Sequence, residues 1–158
     1  MSLYTMTVRW SQENARFVDG RYSRAHVWEF DGGTVVPASS SPHVVPVPQS
    51  DPSAVDPEEA FVAALASCHM LWFLSIAAKR GFCVRAYRDQ AEGTMAAGRD
   101  GRLRMTTVTL RPHVTFTSAK LPTEDVVREM HEAAHHECFL ASSVTTELST
   151  APTFEVLP

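Results

Sequence analysis

Apolar and polar side chains alternate at the start of the chain, with apolar residues at positions 4, 6, 8 and 10. This period of two predicts a half-buried β-strand. A second apolar run at residues 25–30 ends at a glycine-containing turn and continues into residues 34–36, a pattern that predicts a hairpin. The dense prolines of residues 37–57 exclude a helix, so we expect an extended connection there.

The pattern changes at Asp56, where a long helix is predicted to begin. Asp56 is a suitable N-cap, Pro57 fits the first helical position, and Glu59 completes a capping box. The next nineteen positions, residues 60–78, carry no charged side chain. Gly81 then marks the C-terminal end of the helix, because glycine readily adopts the conformation that stops one.

The predicted helix is apolar nearly all round, so every face of it has to be covered. A membrane-spanning helix is one explanation, since nineteen residues is close to the length that a bilayer requires. Polar side chains at positions 67, 68, 69 and 75 and the lack of a second apolar span favour a buried helix without membrane contact. A single small domain has too little other material to wrap such a helix. We therefore expect a second copy of the chain to cover it in a homodimer.

Further strands are predicted by alternating patterns at residues 82–87, 90–95 and 103–116. A second helix is predicted from the Thr123 N-cap to about residue 136, and a short strand at residues 153–156. This order predicts an α+β fold in which antiparallel sheets wrap around a long central buried helix. With 158 residues, we expect one domain over residues 1–158.

Composition and charge restrict the expected partners. Hydrophobic residues make up 44% of the chain and charged residues 20%, as in ordinary folded proteins. The net charge is −4 and the 14 basic residues are scattered, so neither nucleic acid nor an anionic membrane is an expected partner. The start of the chain lacks the apolar run of a secretory signal, and three cysteines do not form a disulfide framework. We therefore expect a cytoplasmic protein.

Cys68 lies in the middle of the apolar helix, where a cysteine is most often a small core residue. A nearby carboxylate gives a second interpretation. At about 100° per residue, Glu59 faces away from Cys68, whereas Glu58 lies about 80° from it and can share a cavity with the thiol. An arginine between carboxylate and thiol would favour the thiolate, and the pattern alone does not choose among three. These candidates are Arg16, Arg21 and Arg24.

Cys138 follows the second predicted helix, where a polar stretch gives way to an apolar one. Taken alone, this context favours a structural cysteine at a buried turn. His131 and His135 share a helix face, so zinc binding with Cys138 is an alternative. No Cys-x-x-Cys pair or third well-spaced ligand accompanies them, so we expect no metal.

The remaining cysteine and histidines have less defined contexts. Cys83 lies at the start of a predicted strand without polar neighbours in the sequence, and it is expected to be a packing residue. His69 projects about 100° away from Cys68, so it either lines a pocket or is a neutral core histidine. The roles of His69 and of the cluster of His131, His135 and His136 stay open.

One motif combines Asp-Pro-Glu-Glu at 56–59 with Ala-Leu-Ala-Ser-Cys-His-Met at 64–70. It resembles the central helix of the OsmC/Ohr family of hydroperoxide reductases. His-His-Glu-Cys-Phe-Leu-Ala-Ser-Ser-Val at 135–144 resembles its second cysteine motif. Asp56 stands where many relatives have asparagine, which caps equally well. His69 stands where many Ohr-type members have phenylalanine, which indicates an OsmC-like branch and leaves substrate choice open.

The resemblance implies an intertwined homodimer with active sites at the subunit interface. Cys68 would be the peroxidatic thiol, Cys138 the resolving thiol, and Glu58 the carboxylate that holds an arginine. Arg24 is our choice for this arginine, and Arg21 remains open. The implied reaction is reduction of an organic hydroperoxide to its alcohol, without a cofactor, through a Cys68 sulfenic acid and a Cys68–Cys138 disulfide.

An external dithiol, of lipoyl type in this family, would then reset the pair and complete an antioxidant stress-response cycle. Apolar neighbours favour organic over hydrogen peroxide because they can bury an alkyl tail. They are Met70, Leu71, Trp72 and Phe139. The alternative from another class is an OsmC-like protein that binds an apolar ligand or senses oxidation with little peroxidase turnover.

Overall fold

The computed structural model describes residues 1–12, 17–117 and 120–157. Within these ranges the chain divides into two compact units, Met1–Ala60 and Phe61–Pro158. Strands and helices follow one another in the predicted mixed order, so the α+β class is confirmed. The expectation of one domain over residues 1–158 stays a prediction.

The first unit holds a three-stranded antiparallel sheet. It consists of β1 (Met6–Arg9), β2 (His26–Phe30) and β3 (Val35–Ala38). Trp28 of β2 pairs with Val8 of β1 and with Val36 of β3. Gly33 in the turn between β2 and β3 has φ +84°, a left-handed conformation that glycine adopts without steric cost. The predicted hairpin is confirmed.

The proline-rich connection between β3 and the first helix contains no helix, as predicted, but it consists of turns and bends and is not extended as expected. Backbone hydrogen bonds hold it beside β3, from Ser39 N to Val55 O (3.0 Å) and from Val55 N to Pro37 O (3.1 Å). The Ser39 hydroxyl also accepts from Asp51 N at 2.9 Å. The connection is therefore anchored at both ends although it has no regular structure.

The long helix α1 (Pro57–Lys79) begins and ends as predicted. Glu59 N donates to Asp56 Oδ1 at 2.7 Å, and Asp56 N donates to Glu59 Oε2 at 3.4 Å, so the capping box forms. Gly81 follows the last turn with φ +76°, the conformation expected of a C-terminal glycine.

One stripe of α1 is buried within the chain. Its members repeat every four positions and are Leu65, His69, Phe73 and Ala77. Much of the remaining apolar surface of α1 is open, and Leu71 is 61% exposed. Among the described residues, α1 is the one helix long and apolar enough to cross a membrane by length and composition. The homodimer that would cover this surface, and the absence of membrane contact, stay predictions.

The second unit contains two three-stranded sheets, β4-β7-β9 and β5-β6-β8. Their strands are β4 (Val84–Asp89), β5 (Glu92–Ala97), β6 (Leu103–Leu110), β7 (Pro112–Thr117), β8 (Glu147–Thr150) and β9 (Thr153–Leu157). Each sheet has one antiparallel pair, and the last strand of each adds in parallel. The run predicted at 103–116 is two strands in different sheets, separated before Pro112, which has no amide hydrogen to continue a ladder. Strand β8 was not predicted.

The second helix, α2 (Glu124–Glu137), is capped by Thr123, whose hydroxyl accepts from Val126 N at 3.4 Å. Its buried positions follow helical spacing and face the main core of the unit. That core unites both helices with the β4-β7-β9 sheet and contains Phe73, Ala77, Phe82, Val114, Phe116, Val127, Met130 and Ala134. A smaller core contains Leu65, Val108 and Leu110.

Candidate functional site

Cys68 and Cys138 meet in the second unit and form what we call the cysteine pair. Cys68 lies midway along α1, and Cys138 is the C-cap of α2. Cys138 Sγ and Cys68 Sγ lie 2.7 Å apart, and both cysteines are free. Disulfide sulfurs lie about 2.05 Å apart, so only a small side-chain movement separates this contact from a bond.

The two cysteines have different environments. Cys138 is 1% exposed, whereas Cys68 is partly accessible. Burial raises the pKa of the Cys138 thiol, and the contact with Cys68 raises that pKa further. The neutral form of Cys138 is therefore favoured, and Cys68 is the sulfur that a molecule from solvent can reach.

An apolar cavity of about 320 Å³ adjoins the accessible thiol, and we call it the Cys68 cavity. It is lined by Cys68, Leu71, Trp72, Ser75 and Phe139. Trp72 and Phe139 meet edge to face, with ring centroids 5.5 Å apart. Three of the four predicted apolar neighbours therefore line the cavity, and Met70 is not among its lining residues.

A second cavity, of about 540 Å³, lies within the first unit, and we call it the Arg24 cavity. Arg24 and Glu58 both line it, together with Val8, Trp10, Phe17, Tyr22, His26, Ser39, Ser40, Val45 and Pro57. Arg21 is exposed and is not a lining residue. Arg16 lies outside the described residues. Of these two arginines, Arg24 is thus the one that shares a cavity with Glu58, and the choice of active-site arginine stays a prediction.

Arg24 is held by its own strand and turn. Its Cζ lies 3.6 Å from the centroid of the Tyr22 ring, and its Nη1 donates to the carbonyls of Gly20 (2.9 Å) and Tyr22. Glu58 Oε2 is buried and has no hydrogen-bond partner. The ion pairs among the described residues do not include Arg24 with Glu58, so the expected contact is not formed. The action of these two residues on Cys68 stays a prediction.

His69 is a neutral core histidine, which was one of its two expected roles. Its Nε2 lies 3.0 Å from His131 Nδ1, and the two rings are parallel within 1°. Burial lowers the pKa of His69 to about 4, with a smaller effect of His135. Burial also lowers the pKa of His131 to about 3, with a smaller effect of His69. Both side chains are therefore uncharged at neutral pH.

The zinc alternative finds no support in the part of the chain that the structure describes, where no group of three or more potential ligands is gathered. His131 contacts His69, and Cys138 contacts Cys68. The expectation that Cys83 is a packing residue is wrong, because its side chain is exposed. Cys83 lies just before β4 and accepts a weak hydrogen bond from the Thr117 hydroxyl, with 3.6 Å between oxygen and sulfur.

Sequence reasoning did not single out three residues that shape the Arg24 cavity, namely Trp10, Tyr22 and His26. A signal existed for Trp10, because period-two alternation places it on the same face as Val8. His26 is fixed by two contacts, 2.7 Å from its Nδ1 to Arg24 O and 3.0 Å from Trp28 Nε1 to its Nε2. Both contacts join residues two positions apart in the sequence, and the period-two pattern does not show which of these groups will bond.

The fold and the paired cysteines define the class of protein. A model of the family described as OsmC-like protein matches residues 50–152. An OsmC-like protein of unknown function from Vibrio cholerae has 51% identity, with 96% of this chain and 99% of that chain covered and a TM-score of 0.94. The chain belongs to the OsmC-like family, and its fold is the OsmC-like fold.

Other solved structures extend the likeness to proteins with a named function. The organic hydroperoxide resistance protein OhrB of Bacillus subtilis has 17% identity and a TM-score of 0.66, with 98% of each chain covered. An organic hydroperoxide resistance protein from Elizabethkingia anophelis has 13% identity and a TM-score of 0.64, with 99% of each chain covered. At these identities the likeness shows a shared fold. No curated protein matches the chain.

Proposed function

We propose that the chain is a two-cysteine peroxidase that reduces organic hydroperoxides to alcohols and is recycled by an external dithiol. The observation that carries the proposal is the cysteine pair, in which an accessible Cys68 lies 2.7 Å from a buried Cys138 thiol. Membership of the OsmC-like family and the shared fold with organic hydroperoxide resistance proteins support it.

In the proposed first step, the Cys68 thiolate attacks the distal peroxide oxygen. A sulfur–oxygen bond forms, the peroxide O–O bond breaks, and the alkoxide takes a proton and leaves as the alcohol. Cys68 is oxidised to a sulfenic acid and the hydroperoxide is reduced. The apolar walls of the Cys68 cavity suit an alkyl or aryl group, which favours organic hydroperoxides over hydrogen peroxide.

In the second step, Cys138 resolves the sulfenic acid. The Cys138 thiol gives up its proton, its sulfur bonds to the Cys68 sulfur, and water leaves. A dithiol, of lipoyl type by resemblance to the family, then reduces the disulfide to two thiols and becomes a disulfide itself. Arg24 would orient the peroxide and stabilise the alkoxide, and Glu58 would hold the arginine.

The test is the intact mass and peptide map of the reduced protein after one equivalent of cumene hydroperoxide. We expect the loss of two hydrogens, located to a Cys68–Cys138 bridge, followed by turnover with dihydrolipoamide. Cys83→Ser should behave like the wild type, and Cys68→Ser should leave the hydroperoxide unconsumed.

Two outcomes contradict the peroxidase. Two free thiols with unconsumed hydroperoxide would reject the chemistry altogether. A single oxidation without recycling by any dithiol would favour the alternative, an OsmC-like redox sensor.

A further inference from the structure

Two largely buried polar side-chain contacts join α1 to α2 within the described residues. One is the cysteine pair, and the other is the hydrogen bond between His69 Nε2 and His131 Nδ1 at 3.0 Å. Arg80, the residue after α1, adds an exposed ion pair with Glu129 of α2 at 3.1 Å. His69 directly follows Cys68 on α1. His131 lies seven positions, or two turns, before Cys138 and belongs to the buried face of α2. The two contacts therefore form neighbouring links between the same two helices.

Burying the histidine link has a cost in desolvation free energy that apolar packing would not have. His69 and His131 are 0% and 3% exposed, and burial keeps both uncharged. One nitrogen of each ring, His69 Nδ1 and His131 Nε2, is buried without a hydrogen-bond partner. Two apolar side chains would avoid this desolvation cost. The link does constrain the relative orientation of the two side chains, because a hydrogen bond fixes the angle and separation of its partners more tightly than apolar contacts do.

Ring stacking of His131 with Phe73 and with His69 fixes the orientation of the link. The His131 ring stacks on Phe73 of α1, with centroids 4.1 Å apart and planes 19° apart, and lies parallel to the His69 ring. Rotation of α2 about its axis, or a shift along it, would break these contacts. The same movement would carry the end of α2, where Cys138 lies, away from Cys68.

We propose that His69 and His131 are positioning residues that hold Cys138 in bonding reach of Cys68 and so favour disulfide formation over further oxidation. This inference rests on the proposed function. The Cys68 sulfenic acid has two fates. Cys138 can attack it, forming the S–S bond with release of water, or a second hydroperoxide can oxidise it to the sulfinic acid with release of a second alcohol.

The two steps should respond differently to loss of the link. Neither histidine lines the Cys68 cavity, so the first oxidation of Cys68 does not require them. Resolution depends on the placement of Cys138, and a misplacement of about 1 Å can slow such a step by about 10²-fold. A more modest shift should raise the ratio of sulfinic acid to disulfide about tenfold.

The experiment compares variants that lose the hydrogen bond with variants that keep it. His69→Phe and His131→Phe fill the space without the bond, and His131→Leu serves if phenylalanine prevents folding. In the double variant H69Q/H131N, the glutamine amide takes the place of Nε2 and the asparagine amide that of Nδ1, so the link is rebuilt without an imidazole. His136→Phe, at the exposed end of α2, is the matched control.

The products are counted by mass spectrometry over a series of cumene hydroperoxide concentrations, and the first oxidation is timed separately. We expect an unchanged first step and about ten times more sulfinic acid in the variants without the bond, with H69Q/H131N and His136→Phe near the wild type. A wild-type ratio of sulfinic acid to disulfide in His131→Phe and His131→Leu would overturn the inference. So would sulfinic acid accumulating equally in H69Q/H131N.

Failure of the proposed function gives a different result. In that case the wild type does not react with hydroperoxide, but the thiol oxidant diamide still forms the Cys68–Cys138 bridge. Slow bridging by diamide in the variants without the link, with normal bridging in H69Q/H131N, would then support positioning on its own. Equal bridging in all variants would reject it.

Discussion

The half-buried side chain of Arg24 is held by contacts within its own segment. Its guanidinium packs on the Tyr22 ring, and Nη1 donates to two backbone carbonyls of the same segment. The remaining N–H groups have no protein acceptor among the described residues, and the side chain lines the Arg24 cavity. A guanidinium held on one edge can offer the other edge to a peroxide or alkoxide oxygen.

Replacing Arg24 should therefore reduce catalysis. We expect Arg24→Ala to lower kcat/KM for cumene hydroperoxide by about 10²-fold, the usual effect of losing one donor to a developing oxyanion. Arg24→Lys should recover part of the loss, because charge is kept without the planar fork. Steady-state assays with dihydrolipoamide measure this, with the exposed Arg21→Ala as control. A larger defect in Arg21→Ala would transfer the role to that residue.

At the scale of the helix, α1 presents two kinds of surface. One stripe packs into the two cores of the second unit, and open apolar surface is left on other faces. Ala64 is an exposed residue of α1 outside the buried stripe. An apolar helix surface of this length needs a cover in water, and a second copy of the chain is the cover that we propose.

A charge on this surface should weaken the proposed homodimer. We expect the wild type to elute as a dimer in size-exclusion chromatography with light scattering, and Ala64→Glu to shift towards monomer or aggregate. Ala133→Glu places the same charge on the exposed side of α2 and should remain dimeric. A monomeric wild type at micromolar concentration would reject the homodimer.

Elements defined by local signals were predictable from the sequence. The Asp56 capping box, the stop at Gly81 and the Thr123 cap are set by neighbouring residues, so both helices were placed correctly. The division of residues 103–116 between two sheets could not be predicted. The local alternation of apolar and polar residues does not show which distant strand each segment pairs with.

The candidate site could likewise be predicted only where local sequence signals define it. The Cys68 and Cys138 motifs were recognised and the two thiols do meet, whereas no sequence pattern linked His69 with His131. That link depends on how α1 and α2 pack, because its members are 62 positions apart in the sequence. The exposure of Cys83 was missed for a similar reason, since an isolated cysteine gives no sign of which side of a strand start it occupies.

At the scale of the whole molecule, buried histidines make folding sensitive to acid. The pKa values of His69 and His131 are about 4 and about 3 in the fold, below the ordinary 6.5. Below pH 6.5 the unfolded chain therefore binds protons that the folded chain does not. The stability contributed by the neutral pair is complete above that pH and is lost progressively as the pH falls through about 4 towards about 3.

Thermal unfolding should reveal this dependence. We expect the wild-type Tm to fall as the pH is lowered from about 6.5 to about 4, and to fall less steeply in H69Q/H131N, which has neither imidazole. Replacing the exposed His136 with glutamine should leave the wild-type slope unchanged. Equal slopes in the wild type and H69Q/H131N would mean that other groups control acid stability.

The unequal exposure of the two cysteines also determines which sulfur of the proposed disulfide the reductant attacks. An incoming dithiol can approach the Cys68 sulfur through its cavity, whereas the Cys138 sulfur is closed off. The mixed disulfide with the reductant should therefore form on Cys68, with Cys138 as the leaving thiolate. Because the pKa of Cys138 is raised in its buried position, it is a poor leaving group, and we expect this exchange to depend on the nucleophilicity of the reductant.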